Sequence, residues 1–309
     1  MRTSRRPSAS TLRAAVLAAG AGLAVVATSG AARDTRDASS DVVARGNTRV
    51  HYGAAVKLGN GRVRPYVAVD AARPDVPTEI GVAMDEAAMD GLPTTGMGHA
   101  VGHKGPDHEF ALPFPAANPT PFRWVSLNWN VGGHEPPGVY DTPHFDFHFY
   151  TIDKAERDRR IVLDNPRFAA EADRLPADEF RPQHSLVLGP PGAAPSAVAV
   201  PLMGVHWIDV RSHELQGLLG HPENFKPFTS TFIHGSWDGK LVFWEPMITR
   251  AHILAKKTAT DASVVDEVIP VSTGARYSPA GYYPSAYRIT WDAQAKEYRV
   301  ALTQLSWRD

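Results

Sequence analysis

The chain has 309 residues, no cysteine and a formal net charge of −1. Near-neutral charge gives no electrostatic case for nucleic acid or anionic lipid. The absence of cysteine excludes thiolate metal sites, cysteine nucleophiles and a disulfide framework, so stability must come from an apolar core.

Residues 1–32 read as a secretory signal peptide. Arg2, Arg5, Arg6 and Arg13 give a basic start, Leu12 to Thr28 is mostly apolar, and the small residues Ser29, Gly30, Ala31 and Ala32 follow. The apolar run is short and weak for a membrane span, which needs about 20 residues. No later stretch is apolar enough to cross a bilayer, so no integral membrane segment is expected after cleavage. Without residues 1–32 the chain carries 28 basic and 33 acidic residues, a net charge of −5. Residues 33–47 are polar and aperiodic and read as a flexible spacer. Residues 48–309 read as a single β-rich domain.

Within that domain Ala54–Leu58 and Val63–Val69 flank Gly59-Asn60-Gly61, a hairpin signal. A short helix is expected over Met84–Met89, stopped by Gly91 and Pro93. Residues 93–121 form a loop rich in Gly, Pro and His. Trp124–Trp129 reads as a strand, Gly132–Tyr140 as a loop, and Pro143 to Tyr150 (P-H-F-D-F-H-F-Y) as a second strand. Asn165-Pro166 predicts a helix ending before Pro176, and Ser212 predicts a cap for a short helix over Glu214–Leu219. Thr229–His234 and Lys240–Glu245 predict a hairpin around the glycine-rich segment 235–239. Tyr287–Trp291 and Glu297–Leu305 predict another. Many strands, few helices and sequential hairpins point to a mainly β fold, an antiparallel barrel or sandwich with two or three short helices on connections.

The segment 143–150 concentrates the chemistry. Side chains alternate along a strand, so Phe145, Phe147 and Phe149 take one face and His144, Asp146 and His148 the other. Imidazole plus carboxylate without sulfur is a ligand set for divalent metals at oxygen/nitrogen sites. Residues four apart on a strand lie about 13 Å apart, too far for comfortable chelation of one ion, whereas residues two apart lie at about 6.6 Å. Asp146 with His148, or His144 with Asp146, is therefore the comfortable pair. The third residue then acts from behind, or the strand bends. His206 and Glu245 are the candidates for ligands from other strands, which makes the candidate metal set His144, Asp146, His148, His206 and Glu245. His134 and Glu135 in the preceding loop are weaker candidates, and His99, His103 and His108 weaker still. The same residues also fit a hydrogen-bonded polar cluster with no ion.

No G-x-S-x-G, H-E-x-x-H, phosphate-binding loop or dinucleotide fingerprint is present. Trp124, Trp129, Trp207, Trp237, Trp244, Tyr282 and Tyr283 read as core or as the lining of an apolar pocket. A metal site here would hold an open position beside an aromatic-lined mouth, with Glu135 or Glu245 placed as a base. The sequence leaves open an enzyme and a non-catalytic protein that binds a small molecule or an envelope partner. It leaves open a homo-oligomer as well.

Several motifs, S-L-N-W-N at 126–130, G-H-E-P-P-G-V-Y at 133–140, the strand at 143–150, M-G-V-H-W at 203–207 and the run at 235–249, together resemble a bacterial family of unknown function. Its namesake is a Thermus protein controlled by an extracytoplasmic-function sigma factor and its anti-sigma partner. The resemblance runs from about Tyr52 to about Leu254 and implies an exported, envelope- or stress-linked protein. The spacing also echoes cupins, where a His-x-His strand and a later Pro-x-Gly-x-x-His build a metal site in a barrel. This chain has H-F-D-F-H and P-L-M-G-V-H in their place.

Overall fold

The computed structural model describes residues 42–96 and 108–309. In chain order the strands of the first half are β1 (Val42–Arg45), β2 (Thr48–Tyr52), β3 (Val56–Leu58), β4 (Gly61–Asp70), β5 (Pro77–Asp85), β6 (Glu109–Pro113), β7 (Trp124–Asn130) and β8 (His144–Tyr150). Those of the second half are β9 (Ser185–Val187), β10 (Val205–Asp209), β11 (Ser230–Trp237), β12 (Lys240–Thr249), β13 (Asp266–Pro270), β14 (Gly281–Tyr283), β15 (Ala286–Asp292), β16 (Glu297–Thr303) and β17 (Ser306–Arg308). Helices are α1 (Lys154–Arg160), α2 (Phe168–Ala172), α3 (Pro195–Val198), α4 (Arg250–Thr258) and α5 (Ala262–Val265).

The strands form two large antiparallel sheets and one small pair. The first sheet runs β1-β2-β4-β5-β16-β15-β13, with β3 beside β4; the second runs β6-β7-β8-β12-β11-β10-β9; β14 pairs with β17. Neither large sheet closes on itself among the described residues, so of the two expected architectures the barrel is not formed. The sheets share one apolar core instead, in a sandwich-like arrangement. Val63, Val67, Ile80, Val82, Val300 and Leu302 from the first meet Val125, Leu127, Phe145, Phe147, Phe149 and Ile248 from the second. Each belongs to one alternating face of its strand, and burying each such side chain contributes about 1.5–3 kcal/mol.

The local readings fare unevenly. The β3–β4, β11–β12 and β15–β16 hairpins form. The second turns at Asp238-Gly239, both at positive φ (50° and 78°), rather than over 235–239. An Asp-Gly pair in that conformation matches the twist of the flanking strands, and Gly235 to Trp237 are thereby released to extend β11. Residues 42–47, at the end of the expected spacer, form β1 and its turn into β2. The helix expected over Met84–Met89 shrinks to a 3-10 turn at Glu86–Met89, because β5 holds the chain extended to Asp85. The helix expected from Asn165 starts at Phe168; the Asn165 side-chain Oδ1 instead accepts the Arg167 N–H at 3.0 Å in a turn. The Glu214–Leu219 helix is a 3-10 turn at His213–Leu215. Five α-helices occur among the described residues, more than the two or three expected. No described helix is long and apolar enough to cross a membrane. His99 and His103 lie outside the described residues.

A candidate metal centre on the second sheet

The site is built on the face of the second sheet turned away from the shared core. Strand β8 places Phe145, Phe147 and Phe149 in that core and His144, Asp146 and His148 on the opposite face. This face is buried as well. The segments between β8 and β10 and between β10 and β11, with the loop from β7 to β8, cover it, packing Phe168, Met203, Phe228 and Tyr140 over it.

Register sets each neighbour. Opposite His144, Asp146 and His148, strand β7 supplies Asn130, Asn128 and Ser126. On the other side Thr249 faces His144 and Met247 faces Asp146. Trp244 faces Phe149, so Glu245 falls between and lands opposite His148. The proline at 246 lacks an N–H to donate there. Two strands further on, His206 pairs with Gly235, which pairs with Phe243. A Cβ on Gly235 would sit 1.9 Å from the Phe243 ring. Glycine at that point lets the ring lie across the sheet, where it contacts both His148 and His206 at centroid distances of 4.8 and 5.3 Å. The register shifts at the same point: Gly235 pairs with Phe243 and Ser236 with Leu241, so Val242 of β12 is the extra residue of a bulge. Bulges commonly re-aim side chains beside sites.

Two groups result, each with donor atoms within 4.8 Å of one another: His134, His144 and Asp146; and His148, His206 and Glu245. The five residues expected from the sequence therefore do not surround one point. His144 and His148 are parted as their four-residue spacing requires. His134 joins the first group because its loop doubles back at Gly133, whose φ is +76° and where a Cβ would stand 2.0 Å from the Tyr140 carbonyl oxygen. His108 bonds the Thr95 carbonyl elsewhere.

The groups differ in how their polar atoms are satisfied. In the first, His144 Nδ1 lies 2.7 Å from the Thr142 carbonyl and Nε2 lies 3.2 Å from the Asn130 amide. Asn130 also donates to Asp146 Oδ2 at 2.6 Å, and His134 Nδ1 bonds the Glu135 carbonyl at 2.7 Å. His144 and His134 approach Asp146 at 3.1 and 3.6 Å. Burial pushes the Asp146 carboxyl up, but the flanking imidazoles outweigh it and hold the group well below the usual carboxylate range. Only Asp146 Oδ1 lacks a hydrogen bond here.

In the second group His148 is 1% exposed and neither ring nitrogen makes a hydrogen bond. Its Nε2 lies 3.3 Å from Glu245 Oε1 without bonding geometry. Glu245 is 2% exposed, its Oε2 is unbonded, and His206 Nε2 stands 4.0 Å from that oxygen. Burial holds the His148 imidazole down to about 4. Burial, then the charge of Asp146, pushes the Glu245 carboxyl well above its usual range. An unsatisfied buried polar group costs about 1–3 kcal/mol, and His148 with Glu245 presents three such atoms, of which one ring nitrogen and the carboxylate lie together with His206. Two imidazoles and a carboxylate are a complete set for a three-ligand divalent site.

A cavity of about 620 Å3 opens onto the site. His134, Glu135, Asp146, His206 and Glu245 line its polar end, so the cavity meets elements of both groups. The expected aromatic mouth is absent: Tyr140 and Phe168 are the aromatic lining residues, and most of the wall is aliphatic. Trp124, Trp129, Trp207, Trp237, Trp244 and Tyr283 are buried core residues, and Tyr282 packs on Trp307 in the small sheet.

Residues missed in the sequence are Asn128 and Asn130. Their signal was present: S-L-N-W-N alternates polar and apolar as β8 does, which sets polar groups beside the His/Asp face. Residues 73–129 match the TTHB210-like family, described as hypothetical protein TTHB210. The match spans β5, β6 and nearly all of β7 and ends before His134 and β8. No curated protein and no solved structure matches the chain.

Proposed function

We propose that this is an exported bacterial protein whose β domain holds one divalent metal ion through His148, His206 and Glu245, with the ion open to the cavity. The observation that carries this reading is His148. A fully buried imidazole with no hydrogen bond at either nitrogen, beside an equally unpaired Glu245 oxygen, is costly as a bare arrangement. It is ordinary as a ligand set. Three protein donors leave coordination positions for a small molecule, and an ion so held acts as a Lewis acid and lowers the pKa of bound water toward about 7.

The first group takes a different role. His144 has a partner at each nitrogen, and Asn130 ties it to Asp146. This cluster is a hydrogen-bonded buttress that fixes β8 beside the metal. Export rests on the basic start and apolar run of residues 1–32. The reading is one of metal-dependent small-molecule binding.

Elemental analysis of protein purified without a metal-affinity tag tests the proposal. One equivalent of a transition metal, lost in His148→Ala and in Glu245→Gln, is expected. Sub-stoichiometric metal that His148→Ala leaves unaltered would overturn it.

A further inference from the structure

The cavity has one polar end and a long apolar wall. Phe168, Val198, Val200, Met203, Ile233 and Met247 supply much of that wall. They come from α2, α3 and the segment after it, β11 and β12. The polar residues gather where His206 and Glu245 reach the lining, while His148 stands behind them. Leu163 also lines the cavity and is 68% exposed, so it marks the rim. A volume of about 620 Å3 lies within the roughly 300–1,000 Å3 of small-molecule sites.

Such a lining selects a ligand with one polar head and an apolar body. The wall offers such a body few hydrogen-bond partners along its length, so a sugar, a peptide or a nucleotide would leave polar groups unsatisfied there. Charge then selects the head. Building on the proposed metal, a divalent ion with two neutral imidazoles and one carboxylate retains one positive charge, while the Asp146 carboxylate beside it is paired with His134, whose imidazole that contact pushes up. An anionic oxygen head neutralises it, whereas without the ion the same head would meet Glu245 and Asp146.

We infer that the cavity binds a medium-chain carboxylic acid, with its carboxylate on the ion held by His148, His206 and Glu245 and its chain along the wall toward Leu163. The inference rests on the metal reading and adds to it a ligand class and an orientation. Binding therefore depends on the metal, on the anionic head and on the apolar chain together.

Titration calorimetry on the full mature chain tests all three, with decanoate as probe and decanol and acetate as controls. Zinc content is measured on the same samples. Zinc-loaded protein should bind decanoate at least tenfold tighter than metal-free protein, and at least tenfold tighter than it binds acetate. Decanol should show no dependence on zinc. Val200→Trp, which fills the wall away from the ligands, should keep its zinc and lose decanoate at least tenfold. Stoichiometric zinc with decanoate bound no tighter than acetate, or decanol bound as zinc-dependently as decanoate, would overturn the ligand assignment and leave the metal site standing. Failure to bind zinc or any other divalent ion would overturn both.

Discussion

His148 and Glu245 face each other across β8 and β12, Nε2 to Oε1 at 3.3 Å, and yet share no hydrogen bond. Paired and buried, a histidine and a glutamate ordinarily close into a charge-assisted bond. Here both stand within reach of His206, with Glu245 lining the cavity and His148 behind it. That geometry separates this group from His144 and Asp146, four and two residues earlier on the strand, where Asn130 bridges the polar atoms.

The two groups should respond oppositely to substitution. Asp146→Asn should leave metal stoichiometry at one, because Asp146 belongs to the buttress. Glu245→Gln should remove the metal. Equilibrium dialysis with zinc on both variants checks this; loss of zinc in Asp146→Asn with retention in Glu245→Gln would reverse the assignment of the groups.

Stability should follow the metal. A ligand that binds only the folded state stabilises it by about 4 kcal/mol at a thousandfold excess over its Kd. Zinc should raise the Tm of the wild-type protein by several degrees and leave that of His148→Ala unchanged. In metal-free protein Glu245→Gln should be neutral or stabilising, since it removes a buried carboxyl pushed well above its usual range. Calorimetric scans with and without zinc measure both effects.

Gly235→Ala tests the support under the site. The new Cβ would stand 1.9 Å from the Phe243 ring, and overpacking of this kind costs about 1–3 kcal/mol. The ring must shift, and His148 and His206 both lean on it. A fall in stability with a parallel fall in zinc affinity is expected; unchanged affinity in a destabilised protein would show that Phe243 does not position the ligands.

Acid sensitivity should begin near neutrality. Burial holds the His234 imidazole down to about 3 in the folded protein, whereas in the unfolded chain it protonates near about 6.5. Between those values the unfolded state binds the extra proton, so stability rises with pH and is lost as pH falls through 6.5 toward 3, by up to about 1.4 kcal/mol per pH unit. In metal-free protein His148, held down to about 4, adds a loss of the same sign. Urea unfolding at a series of pH values should give a shallower slope for His234→Phe than for wild type. Parallel slopes would contradict the assignment.

Legibility in the sequence tracked local periodicity. The β7 and β8 alternation, the hairpins and the mainly β class were readable because each is written in neighbouring residues. The division of the site was half readable: strand spacing already forbids His144 and His148 from sharing an ion comfortably. The assignment of Asp146 to the first group was not readable, because it depends on which residues β12 and the His134 loop bring across. Helix α1 carries almost no apolar signal. It buries one side chain, Arg157, between Glu109, Trp124 and Tyr150. Open sheets were indistinguishable from a barrel, since closure depends on edge pairings between strands distant in sequence.

The most direct measurement is an anomalous difference map, at the absorption edge of the bound element, from crystals of protein purified without a metal-affinity tag. One strong peak between His148 Nε2, His206 Nε2 and the Glu245 carboxylate, at about 2.0–2.2 Å from each donor, is the predicted result. A peak centred on His134, His144 and Asp146 instead, or no peak with His148 and Glu245 hydrogen-bonded to each other, would contradict the account.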